Sequence, residues 1–316
     1  KKIIVDCDPG NDDIWALILL LNLETEYQFK VEAITCVAGN TDVDNCAKNV
    51  IRLLTHINRL DVPVYKGAYE SLVIRKDSIE NDYFHGRDGL SDLNLENENL
   101  NLDLIKREHA VNFICSKVME NPNEIILMCL GPLTNLAMCI KMYPEIAKSF
   151  HSVYIMGGNF QGVGNVSNTG EHNFHCDPEA AHITVNSLKC PMIIFPWETS
   201  LVEHSRIPND WRYNVLGKCK NKIVEILNQS EKKIYIRRPT WLPCDAATVS
   251  CFICPEVIVG SKEWTVDVEL NGSITRGQMI LGHRFPFDGK ATIITEINRE
   301  LFQDLLLKAT SKMSQK

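Results

Sequence analysis

"KKIIVDCDPGNDDIWALILLLNL", residues 1–23, sets a short apolar run, an aspartate-rich turn and a second apolar run in immediate succession. Ile3–Val5 favours an extended chain buried on both faces, as in the middle of a parallel sheet. The pattern from Asp12 to Leu23 is long enough for a helix and opens with acidic residues, which suit a helix N-terminus. Strand, turn and helix in that order make half of a βαβ unit.

The unit recurs. "VEAITCVAG", "VPVYKG", "EIILMCLG", "SVYIMGG" and "CPMIIFPW" read as further strands, and helices are expected over Asp42–Ile57, Lys106–Met119, Leu133–Met142 and Pro178–Asn186. This alternation predicts an α/β fold, a Rossmann-like open sheet, mostly parallel, with helices on both faces. One domain over 1–316 is expected, with no internal repeat or low-complexity linker. Several strands run into Gly, Asp or Asn: Asp8–Gly10, Gly39–Asn40, Gly131–Pro132, Gly157–Asn159. In open α/β sheets the active site lies outside these carboxyl ends. The polar, turn-rich stretch Lys76–Asn101 is too long for a simple connector and is expected to be a lid or binding loop. Leu201–Arg238 reads as helical and charged. "EWTVDVELNGSITRGQMIL" alternates around Asn271-Gly272, a type I′ hairpin signal.

Composition narrows the function. Hydrophobic residues make up 45% of the chain and charged residues 23%, values ordinary for a globular protein. A net charge of −7, with no basic stripe, argues against nucleic acid as a partner. The 12 cysteines are scattered, several inside apolar runs, and Cys251 and Cys254 have no second pair at zinc-site spacing. Buried thiols in a reducing compartment are expected, and with no secretory or membrane-spanning run in view the cytoplasm is the expected location.

Four aspartates in eight positions (Asp6, Asp8, Asp12, Asp13) repel one another unless something positive sits among them. An EF-hand fails: counting from Asp6, the sixth position is Asn11 rather than Gly and the twelfth is Leu17 rather than Glu. A phosphatase with a nucleophilic Asp-x-Asp fits the strand but lacks a clear partner lysine and downstream acidic pair. Helix capping accounts for Asp12 and Asp13 alone. A divalent cation among the carboxylates is the better reading, and oxygen ligands without nearby His or Cys favour Ca²⁺ or Mg²⁺ over zinc.

The rest of the rim carries a resemblance. "DCDPGNDD", "VAGN" (Val37–Asn40), "HGRDGL" (His85–Leu90), "LGPLTNLA" (Leu130–Ala137), "IMGGN" (Ile155–Asn159), "GNVSNTGEHNFHCDPEAA" (Gly164–Ala181) and "CDAATV" (Cys244–Val249) follow one another as in the inosine/uridine-preferring nucleoside hydrolases, which this chain resembles. The resemblance implies Ca²⁺-dependent hydrolysis of the N-glycosidic bond of ribonucleosides to ribose and free base. It implies Asp8, Asp13, Asp245 and the Leu130 carbonyl as metal ligands, with Asp8 also activating a metal-bound water. Asn40, Asn165, Glu171 and Asn173 match the ribose-holding positions, Asp12 a sugar-hydroxyl contact, and Met156 a residue packed near the ring. A homo-oligomer, dimer or tetramer, is implied as well. A ribose- or nucleoside-binding protein without turnover is the alternative, although a base beside the metal favours an enzyme.

The chain departs from the family pattern at Cys244, where the best-known members carry a histidine proposed to protonate the departing base. A thiol with an ordinary pKa of about 8.5 is a poor donor to a purine at pH 7. His85 or His172 as the proton source is one expectation, and Cys244 itself the other. Glu171 and Asn173 are expected on one side of an extended segment. Tyr83, Phe84 and Trp241 are candidates for stacking on the base or for packing.

Overall fold

A computed structural model describes residues 1–74, 83–95, 98–236 and 238–313. Lys76–Asp82, Glu96 and Asn97 of the expected lid lie outside the described residues.

In chain order the elements are β1 (Lys2–Cys7), α1 (Asn11–Tyr27), β2 (Lys30–Cys36), α2 (Val43–His56), β3 (Val64–Lys66) and β4 (Ile105–Lys106). They continue as α3 (Ala110–Glu120), β5 (Ile125–Cys129), α4 (Thr134–Met142), β6 (Ser152–Met156), α5 (His172–Cys176), α6 (Pro178–Ser187) and β7 (Met192–Phe195). Then come β8 (Ile207–Pro208), α7 (Asn209–Asn214), α8 (Lys222–Tyr235), β9 (Thr240–Trp241) and α9 (Cys244–Ile253). The last are β10 (Ile258–Val268), β11 (Met279–Leu281), β12 (Gly289–Ile297) and α10 (Arg299–Met313). Ten strands form one sheet in the order β11-β10-β12-β7-β6-β5-β1-β2-β3-β4. It is parallel from β12 to β4, and only β10 runs against its neighbours.

The expected parallel strands and helices are present, except that the helix expected from Lys106 starts at Ala110, because Lys106 pairs in β4, and that Leu201–Arg238, read as helical, is broken into β8, α7 and α8. From β1 the chain proceeds outward through β2, β3 and β4, then returns to lay β5, β6 and β7 on the other side. The order therefore reverses between β1 and β5, and the crevice opens there. Their carboxyl ends deliver Asp8 and Leu130 side by side.

α1 is apolar around its whole circumference, with Ile14 to Leu21 and Leu23 buried, as expected of a helix enclosed on every side. It packs against α9 and α10. Among the described residues no helix is long and apolar enough to cross a membrane. Cys36, Cys129 and Cys251 are buried as thiols.

Two local expectations are corrected. β10 and β11 do pair antiparallel, with Val268 opposite Met279, so the connection is 269–278 rather than a two-residue turn. Neither Asn271 nor Gly272 takes the positive φ that a type I′ turn requires, and the Glu269 carboxylate instead accepts from both their N–H groups. Glu171 and Asn173 do not share an extended segment: Glu171 is the N-cap of α5 and accepts from the N–H of Asn173 and Phe174.

The described part of the 83–95 segment is fastened down. Thr41 Oγ1 donates to the Arg87 carbonyl, and Asn49 Nδ2 donates to both the Asp88 and Pro9 carbonyls. Gly86 and Gly89 take φ of +77° and +80°, where a side chain is strained.

Candidate active site

The four clustered aspartates separate into two groups. Asp6 points away from the rim, accepting from Thr35 Oγ1 at 2.5 Å and Asn135 Nδ2 at 2.8 Å. It ties β1 to β2 and α4, so it is not part of the cation cluster that the sequence pattern invited. Asp13 closes the start of α1, accepting from Gly10 N–H at 3.0 Å and Asp8 N–H at 3.2 Å. Oxygen atoms of Asp12, Asp13 and Asp245 all lie within 4.8 Å of one another.

Asp8 stands beside this trio, fully buried. Its Oδ2 accepts from the Asn40 N–H at 2.7 Å, and Asn40 Nδ2 reaches the Asp8 carbonyl at 3.3 Å. Oδ1 of Asp8 and Oδ1 of Asp245 are buried and accept no hydrogen bond among the described residues. Such oxygens cost about 1–3 kcal/mol each when left unpaired, more when charged. Carboxylates from two helices and a strand end, with orphaned oxygens aimed inward, fit a hard divalent cation.

The backbone is shaped around Asp8. A Cβ on Gly39 would lie 2.1 Å from Asp8 Oδ2 and 2.7 Å from Pro132 Cδ, so the chain must be bare there. Gly39→Ala should displace the carboxylate and lower kcat about 100-fold, the scale of an ångström-size misplacement. Steady-state kinetics check this, and a fall of less than three-fold would mean that Asp8 tolerates the shift.

Burial raises the pKa of every member of the cluster. Asp12 is pushed up to about 6, and Asp13 to about 7 by burial and by the Asp12 charge. Asp8 and Asp245 rise well above the carboxylate range, again by burial first and then by Asp13. A group with a raised folded pKa stabilises the fold below its unfolded value, here 3.8, and loses that contribution as the pH climbs through the folded one. The chelated protein should therefore lose stability from about pH 4 up through about pH 7 as Asp12 and Asp13 titrate, and the Tm gain on adding Ca²⁺ should widen over the same interval. Thermal scans at fixed ionic strength test it; a pH-independent gain would count against a shared repulsion.

The other predicted positions meet at one cavity of about 320 Å³ above the cluster. Asp12, Asn40, His85, Leu130, Met156, Asn165, Glu171, Asn173, Cys244 and Asp245 line it, while Asp8 and Asp13 are not among its lining residues. Asn173 Nδ2 donates to the Leu130 carbonyl at 2.8 Å and the Met156 carbonyl at 3.0 Å, joining the ends of β5 and β6. Glu171 accepts from Gly158, Asn173 and Phe174, yet burial still lifts it to about 7. Asn165 Oδ1 accepts from the His172 N–H at 2.8 Å.

At the far end stand Phe84, Trp197, Tyr235, Arg238 and Leu242. Only Phe84 among these was legible beforehand. Tyr235 lies in the last turn of α8, in a charged stretch without a motif. Trp241 is not at the cavity: it is buried against Trp15 in a T-shaped pair with centroids 5.7 Å apart. Tyr83 lies outside it too, with Arg87 over its ring.

All three candidate proton donors, His85, His172 and Cys244, line the cavity, and they differ; His172 Nε2 lies 3.6 Å from Cys176 Sγ. His85 Nδ1 lies 3.3 Å from the Asn11 backbone N–H, which can only donate, so the ring hydrogen of the neutral form sits on Nε2. Nε2 is 3.5 Å from Asp12 Oδ1. Cys244 Sγ contacts Ser200 Oγ at 3.2 Å and the Leu242 carbonyl at 3.6 Å, and burial pushes its thiol pKa far up.

The sequence pattern of the inosine-uridine preferring nucleoside hydrolases matches residues 3–304. The pyrimidine-specific ribonucleoside hydrolase RihA of Shigella boydii is 31% identical over 313 residues, covering 96% of each chain. An inosine-guanosine nucleoside hydrolase of known structure superposes with a TM-score of 0.85 at 28% identity, over 98% of both chains. A plant nucleoside hydrolase, PpNRh1, does so with a TM-score of 0.84 at 27% identity, also over 98% of both. With that pattern running from the first strand into the last helix, the chain belongs to the inosine-uridine preferring nucleoside hydrolase family.

Proposed function

We propose that this nucleoside hydrolase cleaves the N-glycosidic bond of ribonucleosides with Ca²⁺ held by Asp8, Asp13, Asp245 and the Leu130 carbonyl. The observation that carries the reading is the convergence of buried, underbonded carboxylates with ribose-sized polar groups on one cavity. Asp12 stands close enough to Asp13 and Asp245 to share the cation or to meet a sugar hydroxyl. Bound Ca²⁺ would fix the ribose diol, make the attacking water more acidic and offset the repulsion among the aspartates.

The protein's own groups do the rest. Asp8, held through Oδ2 by Asn40, offers Oδ1 as the general base that takes a proton from water. Asn40, Asn165, Glu171 and Asn173 hold the ribose hydroxyls, and a site built for such bonds discriminates against 2′-deoxyribosides. Positive charge developing on the sugar ring is stabilised by the carboxylates and carbonyls below it. His85 supplies the proton for the departing base from Nε2. Cys244 lines that end without acting as an acid, because a thiol raised further by burial gives up its proton poorly. Within cells the reading places the enzyme in the cytoplasm, where buried thiols stay reduced.

The relatives differ in base: RihA is named pyrimidine-specific and the solved enzyme inosine-guanosine. The test is ribose release from uridine, cytidine, inosine, guanosine and adenosine, with and without a Ca²⁺ chelator. Release that stops on chelation supports the reading, and release untouched by chelation overturns its metal. His85→Ala should lower inosine turnover at least ten-fold while an activated aryl riboside is nearly unaffected; Cys244→Ser should stay within about ten-fold of the parent. The reverse ranking would move the proton to Cys244.

A further inference from the structure

Outside the cavity lining lies a buried charged cluster that the reaction does not touch. Glu231 of α8 and Arg212 of α7 are both 0% exposed. Glu231 Oε1 accepts from Trp15 Nε1 at 3.0 Å and Trp241 Nε1 at 3.1 Å, while Oε2 accepts from Arg212 Nε at 2.7 Å. The guanidinium sits 4.6 Å from the Trp15 ring centroid and 5.1 Å from that of Trp241. Arg212 Nη1 also donates to Asn228 Oδ1 at 2.8 Å.

A buried ion pair is a costly way to fill space, since apolar side chains of similar volume hold a core at least as well. What it adds is direction: three N–H donors on three segments must point at one carboxylate. Two of the donor segments and the helix of the acceptor adjoin the site. Trp15 lies within a turn of Asp12 and Asp13 on α1; Trp241 lies three residues before Cys244, the first residue of α9, which also bears Asp245; Glu231 lies one turn before Tyr235 of the cavity wall. Oxygen atoms of Asp13 and Asp245 face each other within 4.8 Å across the gap between α1 and α9.

We infer that Glu231 is a positioning residue: by gathering both indole N–H groups and the Arg212 guanidinium, it sets the separation of the α1 and α9 carboxylates that receive the cation. The inference rests on the metal reading given above. Support from outside the ligands typically changes metal affinity 10- to 100-fold when removed.

Trp241→Phe keeps an aromatic ring, smaller than the indole, and deletes one donor, and Glu231→Gln keeps the size and deletes the charge. Both should weaken Ca²⁺ binding by calorimetry about ten-fold or more and lower kcat, whereas Leu305→Ala, a buried α10 truncation serving as the stability control, should leave the affinity unchanged at a comparable drop in Tm. Hydrogen exchange in the chelated protein provides a readout independent of the metal. The amides of 13–16 and 245–248 should exchange faster in Trp241→Phe than in the control. Unchanged affinity and exchange in both variants, or equal losses in the control, would reduce the cluster to ordinary core and overturn the inference. If the parent protein bound no Ca²⁺, the metal reading would fall, and the exchange comparison would still decide whether Glu231 sets the two helix starts.

Discussion

Asp8→Asn is expected to lower kcat for ribose release about 10³-fold, the middle of the range for loss of a general base. The substitution is almost isosteric, and Asp8 is fully buried, so the effect has to come from charge and proton affinity rather than from a cavity. Two consequences distinguish it from generic damage. Asn40 N–H donates to Oδ2, so the variant must turn its amide to keep an oxygen there, leaving an NH₂ group where Oδ1 stands. That group donates where a base must accept. The nucleoside KM should change far less than kcat, because Asn40, Asn165, Glu171 and Asn173 remain. A variant retaining a tenth of the parent kcat would remove Asp8 from the role of base.

Asp245→Asn is expected to act with opposite signs on stability and function. In the chelated protein it removes one of the mutually repelling carboxylates, so Tm with chelator should rise above that of the parent at pH 7.5. Ca²⁺ affinity should fall on the order of 100-fold, since affinity in oxygen-ligand sites follows the ligand charge count. Ribose release at low Ca²⁺ should fall with it. Scans with chelator and with saturating Ca²⁺ measure both signs at once. A lower Tm in chelator with unchanged Ca²⁺ affinity would make Asp245 a structural residue. Stabilisation on removal of a site charge is the usual mark of a site held together against its own electrostatics.

How much of this could be read beforehand follows from local physics. The parallel strands were legible because burial on both faces produces continuous β-branched runs such as "KKIIV" and "EIILMC". β12 was not, because "GKATIITEI" mixes buried and half-exposed positions and lies beside an antiparallel partner. The Asn271-Gly272 hairpin failed because Glu269 offered those N–H groups a side-chain acceptor, which a two-residue turn signal ignores.

The site divides in the same way. Strand-end motifs placed Asp8, Asn40 and Leu130 correctly at the rim, since one parallel topology brings all such ends together. The separation of Asp6 from Asp8 was invisible: it depends on Thr35 and Asn135, distant in sequence, meeting the Asp6 carboxylate. Tyr235 and Arg238 carried no motif, and Trp241, open in the sequence between stacking on the base and packing, packs, with its indole N–H claimed by Glu231.

The sheet ends in short strands, β4 at one border and β11 at the other. Everything between them is the sort of β-branched, weakly charged chain that joins neighbouring molecules into fibrils when a long border is left open. One border is two residues long, one of them the exposed Lys106; at the other, β11 covers only Val266–Val268 of β10, and the remaining Ile258–Thr265 carries the exposed Lys262 and Glu263 and an irregular register at Gly260, features that discourage an incoming strand. A ten-stranded sheet can thus persist as a discrete particle at high concentration, and extending either border by apolar insertion should be the quickest route to losing that.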